Sequence, residues 1–267
     1  MTQVSRDEWD KHWSELDDIT MINPAQHYRQ RMLTKILSNL LKSEKNELKN
    51  ILDFGSGQGD LVKVLFSCFS NHSFFGLELS MVGVGIALRK VPGVDFRQCN
   101  LLEDSPAHDD LYGMANIGIC SEVLEHIDEP RIILKNIRKY LASPGYLIVT
   151  VPCGPMNWFE KSIGHRKHYR PEDLEVLLNE SGFKTREIYR SGFPFFNLYK
   201  IIAFMRGKKI CDDARGNSDK PSGFMITTLK IFDFLFEYFN FDRTPWGWQL
   251  IAVAEKNASL NNNVENG

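Results

Sequence analysis

The amino-acid sequence predicts an α/β fold, a parallel sheet with helices on both faces and an aromatic-rich helical cap inserted near its end. Three observations carry this. Short apolar runs alternate with amphipathic stretches from residue 50 to residue 190, the pattern of strands joined by helical crossovers. The first run is followed at once by a glycine turn, "LDFGSGQGD". Residues 194–243, between the last two predicted strands, are not needed by the alternation and hold two aromatic-rich segments joined by the polar "CDDARGNSDKPSG".

The elements follow in order. Met32, Leu33, Ile36, Leu37, Leu40 and Leu41 recur at helical spacing, so residues 27–42 predict an amphipathic helix. Upstream, Trp9, Trp13 and Leu16 share one helical face, which either packs on the domain or forms a lid over a ligand. Residues 1–48 are therefore read as N-terminal helices and lid. "NILDF" is a strand, "GDLVKVLFSCF" a helix, "SFFGLEL" a strand, "MVGVGIALRK" a weaker helix and "GVDFRQCN" a strand. "GMANIGIC" is the fourth strand, "EPRIILKNIRKYLA" a helix and "GYLIVTVP" the fifth strand. "PEDLEVLLNESGF" predicts a helix with Pro171 in its first turn and Gly182 just past its end. "KTREIYR" and "WGWQLIAVAEK" are the last strands, giving a core of residues 49–193 and 244–257. In the second segment of the cap, Lys230, Asp233 and Glu237 share a face and Phe or Leu fills the rest. The tail 258–267 has the composition of a disordered segment.

Composition narrows the function. The chain has 267 residues, 43% hydrophobic and 25% charged, with formal net charge −2, so its overall charge gives no reason to expect a nucleic-acid partner. Charge is unevenly placed: residues 101–130 hold acids and no Lys or Arg, whereas Glu160 is the one acid of the basic stretch 131–170. Solvated helix faces account for Arg131, Lys135, Arg138 and Lys139. The five cysteines are scattered without a CxxC pair, which points to a reducing, cytoplasmic setting. The N-terminal "MTQVSRDEWDKHW" is polar, so no signal peptide is expected. The apolar stretches of the cap are too short or too charged to span a bilayer. Their aromatic surface packs as core, forms a homodimer interface, walls a pocket or touches a membrane peripherally.

The glycine loop carries the first chemistry. Its spacing, Gly55-x-Gly57-x-Gly59, is not the GxGxxG that suits a dinucleotide pyrophosphate. Asp53, two residues before Gly55, would meet a cationic or hydroxyl-bearing ligand rather than a phosphate. Glu78, at the end of the second strand, can accept two ribose hydroxyls. Together they fit a nucleoside with a positively charged, phosphate-free arm.

With "LDFGSGQGD", "GLELS", "CNLLED", "CSEVLEHIDEP" and "GYLIVTVP" in this order, the chain resembles the class I S-adenosylmethionine-dependent methyltransferases over residues 50–190 and the last strand. "INPAQHYR" adds a likeness to the small-molecule branch that includes the ubiquinone-biosynthesis O-methyltransferases. The resemblance implies a Rossmann-like seven-stranded sheet whose last strand is antiparallel. It implies cofactor contacts from Asp53, Gly55, Ser56, Gly57, Gly59, Glu78, Leu79, Asn100, Leu101 and Ser121, with Arg29 a candidate for the methionine carboxylate. Asn100 stands where many relatives have Asp; an amide still bonds the adenine amino group.

Methyl transfer to a hydroxyl also needs a base. Candidates are Glu122 and His126 after the fourth strand, and His165 and His168 in "GHRKHYR" after the fifth. Tyr169, Arg166 and Trp158 are candidate acceptor contacts; Lys161, Lys167 and Arg170 nearby could grip a phosphate or carboxylate. If "CSEVLEHIDEP" is helical, Glu122, Glu125, His126 and Glu129 fall on one face. Some relatives hold a divalent metal through Glu-x-x-Glu-His there, and a histidine from the loop after the fifth strand completes the set in small-RNA 2′-O-methyltransferases. Glu122, Glu125, His126 and His165 match; pocket lining without a metal is the other reading. The expected activity is methylation of an oxygen, less readily nitrogen or carbon, of a small hydrophobic or amphipathic acceptor in a biosynthetic reaction. An RNA 2′-O-methyltransferase and a non-catalytic cofactor-binding module are the alternatives.

Overall fold

The computed structural model describes residues 9–11, 13, 23–43, 47–103, 107–215 and 223–257, and within these not the side chains of residues 43, 159, 206–215 and 223–225. Leu16 and the tail 258–267 lie outside the described residues. Seven strands form one sheet in the order β3-β2-β1-β4-β5-β7-β6. They are β1 (Asn50–Phe54), β2 (Ser73–Glu78), β3 (Asp95–Gln98), β4 (Ala115–Ser121), β5 (Leu141–Pro152), β6 (Phe183–Ser191) and β7 (Gln249–Lys256). β3-β2-β1-β4-β5 pair in parallel, and β7 runs antiparallel to both β5 and β6. This is the Rossmann-like seven-stranded sheet with an antiparallel last strand that the motifs imply.

The helices are α1 (Pro24–Ser43), α2 (Asp60–Cys68), α3 (Met81–Lys90), α4 (Pro130–Tyr140), α5 (Trp158–Ser162), α6 (Pro171–Glu180), α7 (Phe195–Arg215) and α8 (Gly223–Phe239). Residues of one strand alternate between two cores, as the pleat requires. Leu52, Phe54, Leu147, Val149, Leu250 and Ala252 face α4 and α6. Ile51, Ile148, Ile251 and Val253 face α1, α2 and α3, joined by Phe232 and Phe236 of α8. α8 packs along α1, where Asp233 accepts from Arg31 Nη1 at 2.9 Å and lies 3.1 Å from His27 Nδ1. The face shared by Lys230, Asp233 and Glu237 is thus divided: Lys230 and Glu237 are exposed, while Asp233 is half-buried against α1.

Two local expectations change. Residues 124–126 form a single 3₁₀ turn, not a helix. Glu122 takes a left-handed conformation, φ 57°, which turns the chain off the end of β4, and Pro130 opens the true helix α4. Glu122, Glu125, His126 and Glu129 therefore do not share a helical face. Leu141 and Ala142, predicted to end α4, begin β5 instead.

Strand order reverses direction between β1 and β4, so a cleft opens above their C-terminal ends, where ligands bind in open α/β sheets. The loops after β1, β2, β4 and β5 converge there.

Candidate active site

The cleft's first half is built on β1 and β2. Gly55, Gly57 and Gly59 have φ of 76°, 54° and 80°, values that a side chain adopts with strain. A Cβ at Gly55 would lie 2.5 Å from Val123 Cγ2, so the glycine lets the chain leaving β4 come close. Gly59 faces Ala87 and Phe96 instead; it serves the contact of α2 with α3 rather than opening to the cleft. Ser56 Oγ is buried without a hydrogen-bond partner.

Asp53 and Glu78 are both buried, and no described residue forms an ion pair with either. Burial, with Glu78 adding repulsion, pushes Asp53 up to about 7. Burial also raises Glu78, against hydrogen bonds that its carboxylate accepts from Gly57 N at 2.8 Å and Ser80 N at 2.9 Å. Two buried carboxylates without a counter-ion are costly, and a cationic ligand would relieve both. Leu79 contributes its carbonyl to Gln98 Nε2. Asn100 Oδ1 accepts from Leu102 N at 3.0 Å, which shapes the turn after β3, and Leu101 is buried in the core.

The N-terminal segment lies across this half. Residues 9–11 and 13 are helical. Asp10 Oδ1 accepts from Ser80 Oγ at 2.5 Å. The Trp13 ring lies 2.8 Å from a Cβ built on Gly57 and approaches Glu78. Trp9 stacks on Trp13 at 6.4 Å and meets the His126 ring edge-on at 5.0 Å.

The second half forms around β4 and β5. Glu122 Oε1 accepts from Gln249 Nε2 at 2.8 Å and from Thr150 Oγ1 at 3.2 Å, and its Oε2 is 3.6 Å from Arg29 Nη1. Burial works to raise the Glu122 carboxyl, but Arg29, Gln249 and Lys200 outweigh it and hold it below the usual carboxylate value. Ser121 Oγ is 2.8 Å from Thr150 Oγ1. Glu125 points the other way: it is fully buried, neither carboxylate oxygen has a hydrogen-bond partner, and burial with Glu122 nearby raises its pKa well above normal.

The histidines meet above Glu125. His126 and His165 rings lie 4.8 Å apart, and His165 Nδ1 is 3.1 Å from His168 Nε2. His168 Nδ1 is 2.7 Å from the Gly154 carbonyl, and its Nε2 is 3.7 Å from Glu160 Oε2. Glu160 is buried and pairs with Lys200 Nζ of α7 at 2.6 Å. Burial, reinforced by His126, lowers His165 to about 3, and burial lowers His168 too. Both rings are neutral near pH 7. Gly154 O can only accept, so His168 Nδ1 carries its hydrogen. His168 Nε2 then accepts from His165 Nδ1–H, which leaves the lone pair of His165 on Nε2.

The metal set divides on geometry. Ligand atoms of Glu125, His126 and His165 lie within 4.8 Å of one another, and a second such group is Glu160, His165 and His168. Glu122, turned toward Arg29 and Gln249, joins neither group. The orphaned oxygens of Glu125 fit a cation; Glu160 already has Lys200.

Three candidate acceptor contacts are placed differently. Tyr169 is a core residue, 1% exposed, and its hydroxyl donates to Leu124 O at 3.0 Å; as part of the packed interior it cannot touch an acceptor. Arg166 is held away at Asp128, 2.5 Å. Trp158 starts α5 and is half-exposed. Glu160 and Lys200 were absent from the expected set. Each left a trace in the sequence, one as the only acid of a basic stretch, the other as the lone charge within "FPFFNLYKIIAFM".

Solved structures share this fold at low identity. The CurJ carbon methyltransferase superposes with a TM-score of 0.60 at 11% identity, over 97% of this chain and 62% of that one. A SAM-dependent methyltransferase from Thermotoga maritima gives 0.56 at 14%, over 93% and 98%. The Haemonchus contortus phosphoethanolamine N-methyltransferase 2, in complex with S-adenosyl-L-methionine, gives 0.53 at 17%, over 81% and 51%. No curated protein sequence matches the chain. The family model described as a methyltransferase domain matches residues 25–188, more than half of the chain; that match does not single out the ubiquinone-pathway branch. With that match and a sheet, glycine loop and carboxylate pair of this kind, the chain belongs to the methyltransferase-domain family and is a class I S-adenosylmethionine-dependent methyltransferase.

Proposed function

We propose that the enzyme methylates a hydroxyl oxygen of a small hydrophobic or amphipathic acceptor and that His165 Nε2 takes the proton. The observation that carries this is the fixed hydrogen-bond order Gly154 O, His168, His165. In that reaction the methyl C–S bond breaks as the O–C bond forms, the sulfonium becomes a neutral thioether, and the hydroxyl proton passes to Nε2. Asp53 and Glu78 hold the cofactor's cationic arm and ribose. Glu122, kept ionised by Arg29, and Glu160 favour the imidazolium that follows. Trp9 and Trp13 keep water from the sulfonium. Incubation with methyl-labelled cofactor and a panel of hydroxylated amphipathic compounds tests this. Label in an ether product supports it; label only in RNA or protein, or only on nitrogen or carbon, defeats it.

Glu125 favours a second reading, because its buried carboxylate has no hydrogen-bond partner. Glu125, His126 and His165 would hold a divalent cation, which would lower the pKa of the acceptor hydroxyl. Bound metal in the purified protein, with activity lost to chelator and restored by Mg²⁺, Mn²⁺ or Zn²⁺, supports this reading. Full activity in excess chelator removes it.

A further inference from the structure

We propose that Lys200, brought to the cleft by the inserted helix α7, is a positioning residue for the histidine pair. Through Glu160 it fixes where His165 and His168 stand and which of their ring nitrogens carry hydrogen. The proposal rests on the reading of His165 as the base, and it makes the insertion a support of the reacting groups. The root of this clamp is firm. In the first turn of α7, Phe196 and Asn197 are buried. Asn197 Nδ2 donates to Trp246 O at 2.7 Å, and its Oδ1 accepts from Trp248 N at 3.0 Å. The Tyr199 hydroxyl donates to Asn23 Oδ1 at 3.2 Å. Lys200 follows directly, with its Nζ 2.6 Å from Glu160 Oε1. That contact is an ion pair rather than a directed hydrogen bond.

Glu160 passes the hold on to both histidines. α5 has only five residues, too few to stand alone as a helix, and Glu160 closes its start. Glu160 Oε2 accepts from Asn157 N at 3.1 Å, and Glu160 N donates to Asn157 Oδ1 at 2.9 Å. The Glu160 carbonyl accepts from His165 N at 2.9 Å, which sets the backbone that carries the His165 ring. Glu160 Oε2 also faces His168 Nε2 at 3.7 Å. α7 reaches His168 by a second route. Trp248, held by Asn197, accepts Cys153 N on its carbonyl at 3.0 Å. Its ring lies against Gly154, where a Cβ would meet Trp248 Cγ at 2.5 Å, and the Gly154 carbonyl accepts from His168 Nδ1. Both rings are thus placed from one end of α7. Stability alone does not account for the Lys200–Glu160 pair, because apolar packing of the same volume is often as stable as a buried ion pair or more so. A charge pair does fix one geometry. Here that geometry decides whether His165 Nδ1–H meets His168 Nε2, 3.1 Å away. A displacement of about 1 Å would break this contact and free the His165 ring to turn.

The test reads the rings themselves and needs neither acceptor nor turnover. In the full chain carrying ¹⁵N-labelled histidine, long-range proton–nitrogen spectra at neutral pH show which nitrogen of each ring bears hydrogen. His165→Ala and His168→Ala assign the signals. The expected result is hydrogen on Nδ1 of both rings in the unaltered protein, and an average of the two tautomers at His165 in Lys200→Met and in Glu160→Gln. Lys200→Arg, which keeps the charge, should retain the fixed form. Calorimetric binding of S-adenosylmethionine shows which variants are folded. Glu160→Gln leaves no buried carboxylate unpaired, so it decides the matter if Lys200→Met does not fold. With an acceptor in hand, kcat of both variants should fall roughly tenfold to a hundredfold, with KM and the cofactor Kd nearly unchanged. A fixed tautomer at His165 that survives both substitutions, or averaging that Lys200→Arg shows equally, overturns the proposal and leaves His165 as the base. Hydrogen on His165 Nε2 in the unaltered protein, in whole or in average, removes that base and the proposal with it.

Discussion

Asp53 is a carboxyl placed where ionisation is costly until a cation arrives. Its pKa of about 7 in the folded chain lies above the ordinary carboxyl value. Between about pH 4 and pH 7 the unfolded chain gives up a proton that the folded chain keeps. The contribution of Asp53 to stability therefore falls as pH rises through that window, and its full penalty stands above pH 7. Binding of S-adenosylmethionine runs the other way, because the ligand's positive charge favours the ionised form. Affinity measured by calorimetry should be roughly tenfold tighter at pH 8 than at pH 6, in proportion to the ionised fraction. Asp53→Asn should bind weakly and lose that slope. His165→Ala should lower kcat about 10²- to 10⁴-fold while the cofactor Kd changes little. His168→Ala separates the two readings of the histidines: it lowers kcat if the proton path operates and spares it if Glu125, His126 and His165 hold a metal. Much of this site was legible from residue types alone. A carboxylate before a glycine loop and another at the end of the next strand have one consistent ligand chemistry, and the structure brings them to one cleft. The directions of Glu122 and Glu125 were not legible. They depend on one backbone angle at Glu122, and spacing in the sequence carries no information on a left-handed residue that is not glycine.

At the scale of elements, the strands and their crossovers could be read because each apolar run obeys its own short-range rule. Ile51 and Leu52 go to opposite cores simply because neighbours on a strand point apart. Asp233 shows where such rules end. Its spacing groups it with Lys230 and Glu237, yet its partners are Arg31 and His27, some two hundred positions earlier in the chain. Helical periodicity cannot see a charge supplied by another helix. The same distance in sequence separates Tyr28 from Phe236, whose rings meet at 5.8 Å with Phe196 against both. This cluster fastens α8 and α7 to α1. Phe236→Ala should cost about 3–5 kcal/mol of stability in denaturant unfolding. Because α7 carries Lys200, the same change should also reduce turnover under conditions where the protein remains folded. A loss of stability below 1 kcal/mol would mean that the insertion is not fastened through this cluster.

For the whole molecule, the cleft is assembled from parts that lie far apart in the chain. The sheet supplies Asp53 and Glu78, the turn off the end of β4 supplies Glu122, α7 supplies Lys200, and residues 9–11 and 13 lie across the opening. Asp10 joins that segment to Ser80, Trp13 lies on Gly57, and Trp9 reaches His126. One short helical stretch thus touches both the glycine loop and the histidine cluster. On the proposed role of Glu78 as the ribose contact, the Trp13 ring covers the space beside Gly57 that the ribose needs, and this segment would have to move for the cofactor to exchange with solvent. Opening is then a step shared by association and release. Trp13→Ala should speed both rates in stopped-flow measurements, several-fold each, with a smaller change in Kd because the two effects oppose one another. Asp10→Ala should act in the same direction, since it removes the tie to Ser80 and leaves the ring in place. If instead Trp13→Ala weakens binding through faster release alone, the ring is a wall that holds the bound cofactor and not a cover that must open to admit it.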